Sequence, residues 1–334
     1  MKLKNFAFFP PLDEPKHHSK RDFIERMKVD FPQIDILAFD NETEVLEKIE
    51  IVEAGYGWVG PKAIQKARKL KWLANPDSGG FVNESAQDGW FYKQLIEHPV
   101  LVTNPRGIYS DFIGQHVMAY ILALSNRFPD YIEAQRNRLW HPEARRHKAL
   151  HIRESKVMIV GTGGIGQEVA RLCKGFNAYV LGIDPKFNSL ENFDQILNPS
   201  ELKNTVSQID ILVVTVMHTP ETHHLFNIEI FEKMKQTSIF INIGRGKTTV
   251  LDDLIFAIET NLISGAGLDV YEEEPLPKTH KLWTTPGVIM TPHVALMDSD
   301  QEVTNRRYQV IKMNVERYNR GEELHNIVNK NKWY

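Results

Sequence analysis

A glycine-rich run in the middle of the chain carries the clearest chemical signal. The run is Gly161, Thr162, Gly163, Gly164, Ile165 and Gly166. An apolar stretch predicted as a strand, 157–160, precedes it, and a predicted helix, 165–176, follows. In such a turn the first glycine permits the bend, the second lets the backbone approach a pyrophosphate, and the third lets helix and strand pack closely. Backbone N–H groups at the positive end of the helix would point at the phosphates. The run therefore predicts a dinucleotide-binding turn.

An acidic residue completes this dinucleotide pattern. Asp184 follows the predicted strand 178–183, and the pattern places an acid about 20 residues after the turn. Its carboxylate is expected to accept hydrogen bonds from the adenosine ribose hydroxyls and to repel a 2′-phosphate. The sequence therefore predicts NAD(H) as the preferred cofactor, while Lys186, two residues later, leaves NADP(H) open. A surface Asp–Pro turn is the structural alternative.

Polar segments follow three other apolar stretches of the same region. They are Asn242-Ile243-Gly244-Arg245-Gly246, Gly267-Leu268-Asp269-Val270-Tyr271-Glu272-Glu273-Glu274-Pro275 and Thr291-Pro292-His293. An arginine, several acids and a histidine thus come just past the carboxyl ends of predicted strands, where open parallel sheets bind ligands. Taken singly, Arg245 is compatible with a salt bridge, the acidic run 272–274 with a solvated loop, and His293 with a surface histidine.

In order and residue types these motifs resemble the D-isomer-specific 2-hydroxyacid dehydrogenases. The resemblance covers essentially the whole chain and is strongest over 156–295. The segments 71–73 and 213–222 also resemble landmarks of that family. The resemblance implies an α/β fold with two Rossmann-like, doubly wound parallel-sheet domains and a cleft between them. It also implies hydride transfer between nicotinamide and the 2-carbon of a small 2-keto or 2-hydroxy acid.

The resemblance implies a role for each of three side chains. Arg245 would hold the substrate carboxylate and polarise the 2-keto oxygen, a task suited to a planar, permanently charged group. His293 would give a proton to that oxygen during reduction and take it back during oxidation, because an imidazole titrates near neutral pH. Glu274, directly before Pro275, would hydrogen-bond the far side of the imidazole, fix its tautomer and raise its pKa.

Further residues are expected around the cofactor and the substrate. Asp269 resembles the family's aspartate near the nicotinamide, and a structural turn residue is the alternative. Backbone N–H groups of a loop in the other domain would hold the substrate carboxylate. These substrate-binding residues are Ser78, Gly79 and Gly80, together with Arg245 and His293.

Some residues depart from the family's pattern. Asp77 would repel a substrate carboxylate unless it points away from the loop that it precedes. Arg106 adds a charge near a predicted domain crossing and is expected to form a salt bridge between elements, with compensation of Asp77 or substrate contact as alternatives. Leu296 and Met297 place bulk after His293, where many relatives have small residues. These departures leave the substrate's identity open more than the type of reaction.

Short apolar stretches alternate with longer amphipathic ones, a pattern typical of α/β proteins with parallel sheets. Strands are predicted at 5–9, 34–39, 49–54, 71–75, 100–103, 157–160, 178–183, 211–216, 238–242, 265–268 and 288–290. Helices are predicted at 19–29, 42–48, 61–68, 111–126, 165–176 and 299–320, with a helix or extended arm at 129–140.

The resemblance also sets the domain boundaries. The chain would cross between domains twice, so that 1–103 and 297–334 form the substrate domain and 104–296 the NAD-binding domain. A homodimer through the NAD-binding domain is expected, and the polar, arginine- and histidine-rich arm 140–153 is its candidate contact.

Composition excludes other classes of protein. The 334 residues carry a net charge of −3 and no basic stripe interleaved with aromatics, so nucleic-acid binding has no support. The N-terminal apolar run is too short for a signal peptide or a membrane span, and we expect a cytoplasmic protein. A single cysteine, Cys173, cannot form an internal disulfide and fits a reducing compartment. The adjacent histidine pairs 17–18 and 223–224 lack the further ligands of a zinc set, so no metal is expected.

Together these features predict an NAD(H)-dependent enzyme that interconverts a small 2-keto acid, such as glyoxylate or hydroxypyruvate, and its D-2-hydroxy acid. The alternative is a non-enzymatic NAD(H)-sensing interaction protein on the same fold, against which the complete set of Arg245, Glu274 and His293 argues. Oxidation of formate or phosphite is a third hypothesis. The sequence leaves open which keto acid is native and which direction is physiological.

Overall fold

The chain folds into two units. The computed structural model describes residues 2–12, 20–76, 93–140, 142–143, 148–296 and 301–331. The first unit comprises Met1–Ile108 and Met297–Tyr334, and the second comprises Tyr109–Leu296. The first of these boundaries lies slightly later than the crossing expected after residue 103. Which unit holds the substrate and which the cofactor stays a prediction at this point.

The first unit is built on a five-stranded parallel sheet. Its strands are β1 (Asn5–Phe8), β2 (Asp35–Ala38), β3 (Ala54–Tyr56), β4 (Trp72–Ala74) and β5 (Leu101–Thr103), in the order β2-β1-β3-β4-β5. Helices between them are α1 (Lys20–Asp30), α2 (Glu42–Lys48), α3 (Pro61–Lys66) and α4 (Lys93–Glu97). Parallel pairing requires such crossovers, because each strand must begin at the same edge of the sheet as its neighbour.

Both faces of this sheet are covered. Successive side chains of a strand point to opposite faces, and β1 follows that rule. Phe6 and Phe8 lie in one buried cluster, whereas Ala7 lies in another on the opposite face. The ring of Phe6 packs edge-on against Trp72 of β4, with ring centroids 5.5 Å apart. Burying each large side chain of this kind contributes about 1.5–3 kcal/mol.

The second unit is built on a seven-stranded parallel sheet. Its strands are β6 (Lys156–Val160), β7 (Tyr179–Ile183), β8 (Gln195–Leu197), β9 (Ile211–Val214), β10 (Ile239–Asn242), β11 (Gly265–Leu268) and β12 (Val288–Met290). Its helices are α5 (Ser110–Ser125), α6 (Phe128–Arg136), α7 (Gly164–Gly175), α8 (Leu202–Thr205), α9 (Ile228–Phe231) and α10 (Leu251–Glu259). The last helix, α11 (Gln301–Arg320), belongs to the first unit.

The strand order of the second sheet creates a crevice for a ligand. The order is β12-β11-β10-β9-β6-β7-β8, so the chain runs outward from β6 in one direction and then outward from β9 in the other. Alternating residues of β6 enter two cores: Met158 and Val160 on one face, Val157 and Ile159 on the other. The carboxyl ends of β6 and β9 mark the switch point, where doubly wound sheets bind ligands.

The predicted fold class is confirmed, since both sheets are parallel and helices separate most of the strands along the chain. One predicted strand, 49–54, is wrong. The N–H of Ile49 still bonds the carbonyl of Val45, so a 3₁₀ turn over Ile49–Ile51 continues α2 and β3 begins only at Ala54. The sequence also missed the three-residue edge strand β8 and the helices α4, α8, α9 and α10. No helix in the described ranges combines the length and the apolar character needed to cross a membrane.

Candidate active site

The glycine turn between β6 and α7 has no space for a side chain at two of its glycines and is open at a third. Gly161 has a φ of +96°, which favours glycine, and a Cβ there would lie 2.8 Å from Thr215 Oγ1. A Cβ on Gly166 would lie 2.1 Å from the carbonyl oxygen of Gly161, so helix and strand approach closely at this residue. A Cβ on Gly163, in contrast, would meet no atom within 4 Å. The open side of the turn is therefore at its second glycine, where a dinucleotide turn admits the pyrophosphate.

The N-terminus of α7 fits the same ligand. The helix begins at Gly164, and its N-cap residue, Gly163, has no side chain to bond the first N–H groups. These donors and the helix dipole favour an anion at this end. The residues present thus fit the diphosphate of a dinucleotide.

Asp184 lies beside the glycine turn. It follows β7 directly, and its Oδ2 accepts a 2.9 Å hydrogen bond from the N–H of Thr162 within the turn. Its Oδ1 accepts a second bond, also 2.9 Å, from the N–H of Lys186. Each carboxylate oxygen can accept more than one hydrogen bond, so the group keeps capacity for a ribose hydroxyl. The structure thereby brings the acid and the glycine turn together.

His293 and Glu274 form a hydrogen-bonded pair. Nδ1 of His293 lies 2.6 Å from Oε2 of Glu274, and Oε1 of Glu274 accepts a 2.9 Å bond from the N–H of Tyr271. That backbone bond fixes the carboxylate, which in turn fixes the imidazole. Nowhere in the described ranges does another group bond Nε2 of His293, so this atom is left to face a ligand.

Charges around the pair set its protonation. The hydrogen bond that His293 donates to Glu274 raises the pKa of His293 above its ordinary value, against the opposing effects of burial and of Arg245. Burial raises the pKa of Glu274, but the bonds from His293 and Tyr271 outweigh it and leave that pKa lowered. The two directions agree: each partner stabilises the charged form of the other. The arrangement favours an imidazolium held by a carboxylate.

Arg245 belongs to the same electrostatic environment. Its charge lowers the pKa of both His293 and Glu274, and its Nη1 donates a 2.7 Å bond to the carbonyl of Gly244. The loop after β10 is held by buried Asn242, whose Nδ2 donates to the carbonyl of Arg245 at 3.2 Å and whose Oδ1 accepts from the N–H of Gly244 at 2.9 Å. Sequence reasoning missed Asn242. An amide at a strand end that opens into a glycine-rich loop is the signal that could have found it.

Asp269 is bonded to the segment that contains His293. This aspartate is 1% exposed. Its Oδ1 accepts from the hydroxyl of Thr291 at 2.5 Å and from the N–H of Val294 at 2.8 Å, and its Oδ2 accepts from the N–H of Ala295 at 2.9 Å. His293 lies between these anchors with a φ of 55°, which non-glycine residues rarely adopt. The carboxylate of Asp269 therefore holds the histidine loop, and its predicted contact with the cofactor stays a prediction.

Two further side chains that the sequence did not single out support this loop. The hydroxyl of Thr291 also contacts the hydroxyl of Tyr120 and, at 3.1 Å, Nε2 of His116. Both come from α5, so the loop is tied to a long buried helix. Only the folded sheet brings α5 and the end of β12 together, which is why sequence spacing gave no sign of it.

Other predicted residues lie elsewhere or outside the described residues. The substrate-loop residues Ser78, Gly79 and Gly80, the neighbouring Asp77, and Met297 fall outside the described ranges. Arg106 is described and lies in the first unit, after β5. Within the described part of the chain, no three histidine, cysteine or carboxylate side chains come together as a metal site requires.

Comparison with known proteins establishes the family. Residues 118–295, more than half of the chain, match the model of the D-isomer specific 2-hydroxyacid dehydrogenase NAD-binding domain. A glyoxylate reductase from Korarchaeum cryptofilum is 30% identical over 244 residues, which span 71% of this chain and 72% of that protein. The chain belongs to the D-isomer-specific 2-hydroxyacid dehydrogenases, a family of oxidoreductases that act on small 2-hydroxy or 2-keto acids.

Solved structures agree with this assignment. A family member from Aeromonas salmonicida superposes with a TM-score of 0.76 at 28% identity, covering 98% of this chain and 100% of its own. A D-isomer specific 2-hydroxyacid dehydrogenase from Xanthobacter autotrophicus, in complex with NADPH and MES, superposes with a TM-score of 0.81 at 25% identity. That match covers 99% of this chain and 100% of the Xanthobacter chain.

Proposed function

We propose that this protein is an NAD(H)-dependent reductase that converts a small 2-keto acid, glyoxylate- or hydroxypyruvate-like, to its D-2-hydroxy acid. The observation that supports it most is the 2.6 Å bond between His293 and Glu274, within the electrostatic reach of Arg245. Family membership supplies the reaction class, and the glyoxylate reductase of Korarchaeum cryptofilum supports this substrate class.

In this mechanism His293 moves the proton. The imidazolium donates one N–H to Glu274 and presents the other, at Nε2, to the 2-keto oxygen. The nicotinamide, when bound, supplies the hydride that reduces the carbon. Because the proton leaves Nε2 as the oxygen becomes an alcohol, His293 ends neutral, and it must be protonated again before the next turnover. In the reverse direction the neutral ring takes the alcohol proton.

Arg245 binds and polarises the substrate in this mechanism. Its guanidinium is permanently charged and presents N–H groups in a plane, which matches a carboxylate. With substrate bound beside it, its fixed positive charge would stabilise the negative charge that develops on the keto oxygen and so lower the barrier. Its charge opposes protonation of His293. The hydrogen bond to Glu274 outweighs this effect, so the pKa of His293 stays raised despite the charge of Arg245.

The proposed residues for the cofactor are those of the glycine turn, with Asp184 at the ribose and Asp269 on the nicotinamide side. A carboxylate at Asp184 disfavours a 2′-phosphate, which supports NAD(H) as the preferred cofactor. Lys186 would offset part of that repulsion, so NADP(H) is not excluded. The Xanthobacter relative that binds NADPH is a reason to measure both. The loop Ser78, Gly79 and Gly80 is retained as the proposed partner of the substrate carboxylate.

A homodimer through the second unit and a cytoplasmic location are retained as proposals. Leu139 is 58% exposed and Trp140 is 98% exposed at the start of the predicted arm, which supports a contact there. Light scattering at several protein concentrations tests the assembly. A monomer at every concentration would contradict it.

A substrate panel tests the proposed function. NADH and NADPH absorbance is followed with glyoxylate, hydroxypyruvate and larger 2-keto acids, and with formate and phosphite in the oxidative direction. We expect reduction of at least one small 2-keto acid, faster with NADH. Tight NADH binding without turnover of any compound in the panel would instead favour a non-enzymatic NAD(H)-sensing protein. If only formate or phosphite reacts, reducing NAD, the proposed substrate class is wrong.

A further inference from the structure

A cavity of about 610 Å³ opens on the first unit. Its polar wall comes from three parts of the chain. Arg106 lies in the segment after β5, Asn305, Arg306 and Gln309 lie on one face of α11, and His325 lies in the segment that follows α11. None of these residues belongs to the site proposed above, so the cavity needs an explanation of its own.

Arg106 brings a charge that no described carboxylate pairs with. Its backbone is fixed, since the N–H donates to Oδ1 of Asn104 at 3.3 Å and the carbonyl accepts from Nδ2 of Asn326 at 2.7 Å. Its side chain is exposed, and across the described ranges its guanidinium forms no ion pair. The salt bridge expected from the sequence is therefore not formed there. A fixed backbone that presents a free cation to a cavity is suited to an anionic ligand.

The neighbouring charges add to this bias. Arg306 contacts Glu302 through a 3.0 Å bond from Nε and donates through Nη1 to the carbonyl of Ile108 at 2.9 Å. Counted over the described lining residues alone, two guanidinium groups and one carboxylate give a net charge of +1. Burial, followed by the charges of Arg317 and Arg106, lowers the pKa of His325. The imidazole therefore avoids protonation while no anion is present.

Side-chain amide groups add further hydrogen-bond donors to the cavity wall. Oδ1 of Asn305 accepts from Nη1 of Arg26 at 3.1 Å, so its Nδ2 is the atom left for a ligand. Gln309, one turn further along α11, is exposed and also lines the cavity. A tetrahedral oxyanion uses donors from several directions, whereas a carboxylate offers two oxygens in one plane. Ile108 and Val310 form an apolar part of the wall, against which a short carbon skeleton would pack.

We propose that this cavity binds the phosphate of a small phosphate monoester, held by Arg106, Arg306 and His325. The volume leaves room for an organic part beside the phosphate. This second ligand site goes beyond the proposed reaction and does not depend on it. The cavity residues lie just before the boundary at Tyr109, on α11 and in the segment after it, all within the first unit, whereas the glycine turn belongs to the second unit.

The His325 ring is the reporter for the test. NMR titrations of the full-length protein follow its ring resonance, assigned with a His325→Gln variant, at constant ionic strength. The probes are inorganic phosphate, glycerol 2-phosphate and acetate. We expect both phosphates to shift the resonance saturably and to raise the pKa of His325, because a bound dianion stabilises the imidazolium. Acetate should leave it unchanged.

Arg106→Ala and Arg106→Gln should weaken phosphate binding about tenfold or more, the size expected for a lost charge-assisted hydrogen bond. Both should raise the pKa of His325 without ligand, since a like charge is removed. Arg320→Ala, an exposed arginine at the end of α11 that does not line the cavity, is the control and should change neither. The proposal is overturned if phosphate causes no saturable shift, if acetate matches phosphate, or if the Arg106 variants bind phosphate normally. The ring reports binding and not turnover, so failure here is distinct from failure of the proposed reaction.

Discussion

The substitution Glu274→Gln isolates the charge of the carboxylate beside His293. Glutamine keeps the size of the side chain and can still accept a hydrogen bond from Nδ1, which lies 2.6 Å from Oε2 in the native protein. The attraction between carboxylate and imidazolium is lost, while the positive charge of Arg245 remains. The imidazolium form of His293 is therefore destabilised.

The strength of that attraction sets the size of the effect. Unit charges about 4 Å apart attract by about 1 kcal/mol in water and by about 4 kcal/mol at an effective dielectric constant of 20. The side chains of His293 and Glu274 are 52% and 34% exposed, so solvent screens the pair and the lower half of that range applies. Because 1.36 kcal/mol corresponds to a factor of ten, about 1–2 kcal/mol predicts about 5- to 30-fold lower kcat/KM for reduction at neutral pH.

The direction of the pH dependence follows from the raised pKa of His293. Reduction needs the protonated ring, so activity is complete below that pKa and is lost as the pH rises through it. Since the hydrogen bond from His293 to Glu274 is the largest cause of the raised pKa, Glu274→Gln should move the loss of activity to lower pH. Oxidation needs the neutral ring and should become active at lower pH in the variant.

The assay is NADH absorbance with glyoxylate or the best substrate of the panel, across the neutral range. Glu273→Gln is the matched control, because Glu273 is the exposed neighbour in the same acidic run and makes no bond to His293. It should retain native kcat/KM and the native profile. An unshifted profile in Glu274→Gln, or an equal loss in both variants, would show that the carboxylate does not control the histidine.

Three further changes test the cofactor turn and the histidine loop. Gly166→Ala places a Cβ 2.1 Å from a backbone oxygen and should lower the free energy of unfolding, measured in urea, by about 1–3 kcal/mol. The Cβ of Gly163→Ala meets nothing within 4 Å, so this variant should keep its stability but bind NADH more weakly. Asp184→Ala should improve kcat/KM with NADPH relative to NADH about fivefold, the effect of removing about 1 kcal/mol of repulsion; an unchanged ratio argues against a role in cofactor choice. Asp269→Asn turns an NH₂ toward backbone donors such as the N–H of Ala295 and should lower the free energy of unfolding by about 1–3 kcal/mol. Because the histidine loop shifts, kcat should fall by a larger factor than KM changes. Native stability together with native kcat would contradict the anchoring role.

Features encoded by local sequence were predictable. The glycine turn was predictable because a tight bend, a bound ligand and a close helix contact each exclude a side chain within a few residues. Gly161 lies at the bend and Gly166 at the helix contact, and a Cβ at either residue would clash. Strand ends were predictable because apolar runs stop where polar residues begin, which located Arg245 and His293. Glu274 needed the family resemblance, since three consecutive glutamates have the same local character.

Features that depend on distant contacts were not predictable. The three bonds of Asp269 join segments 22 to 26 residues apart along the chain, and no periodicity encodes them. Tyr120 and His116 meet Thr291 across more than 170 residues. The misplaced strand 49–54 has a different cause: apolar residues suit a helix end and a strand equally, and the bond from Ile49 to Val45 decides between them.

The most direct test of the proposed chemistry is His293→Ala, measured for turnover and for NADH binding on the same preparation. Loss of the only proposed proton donor should lower kcat by about 100-fold or more, while the Kd for NADH stays near native because the glycine turn is untouched. Glu273→Gln, a change at an exposed residue that makes no bond to His293, provides the control. Native turnover in His293→Ala would mean that another group supplies the proton, and the proposed mechanism would be wrong.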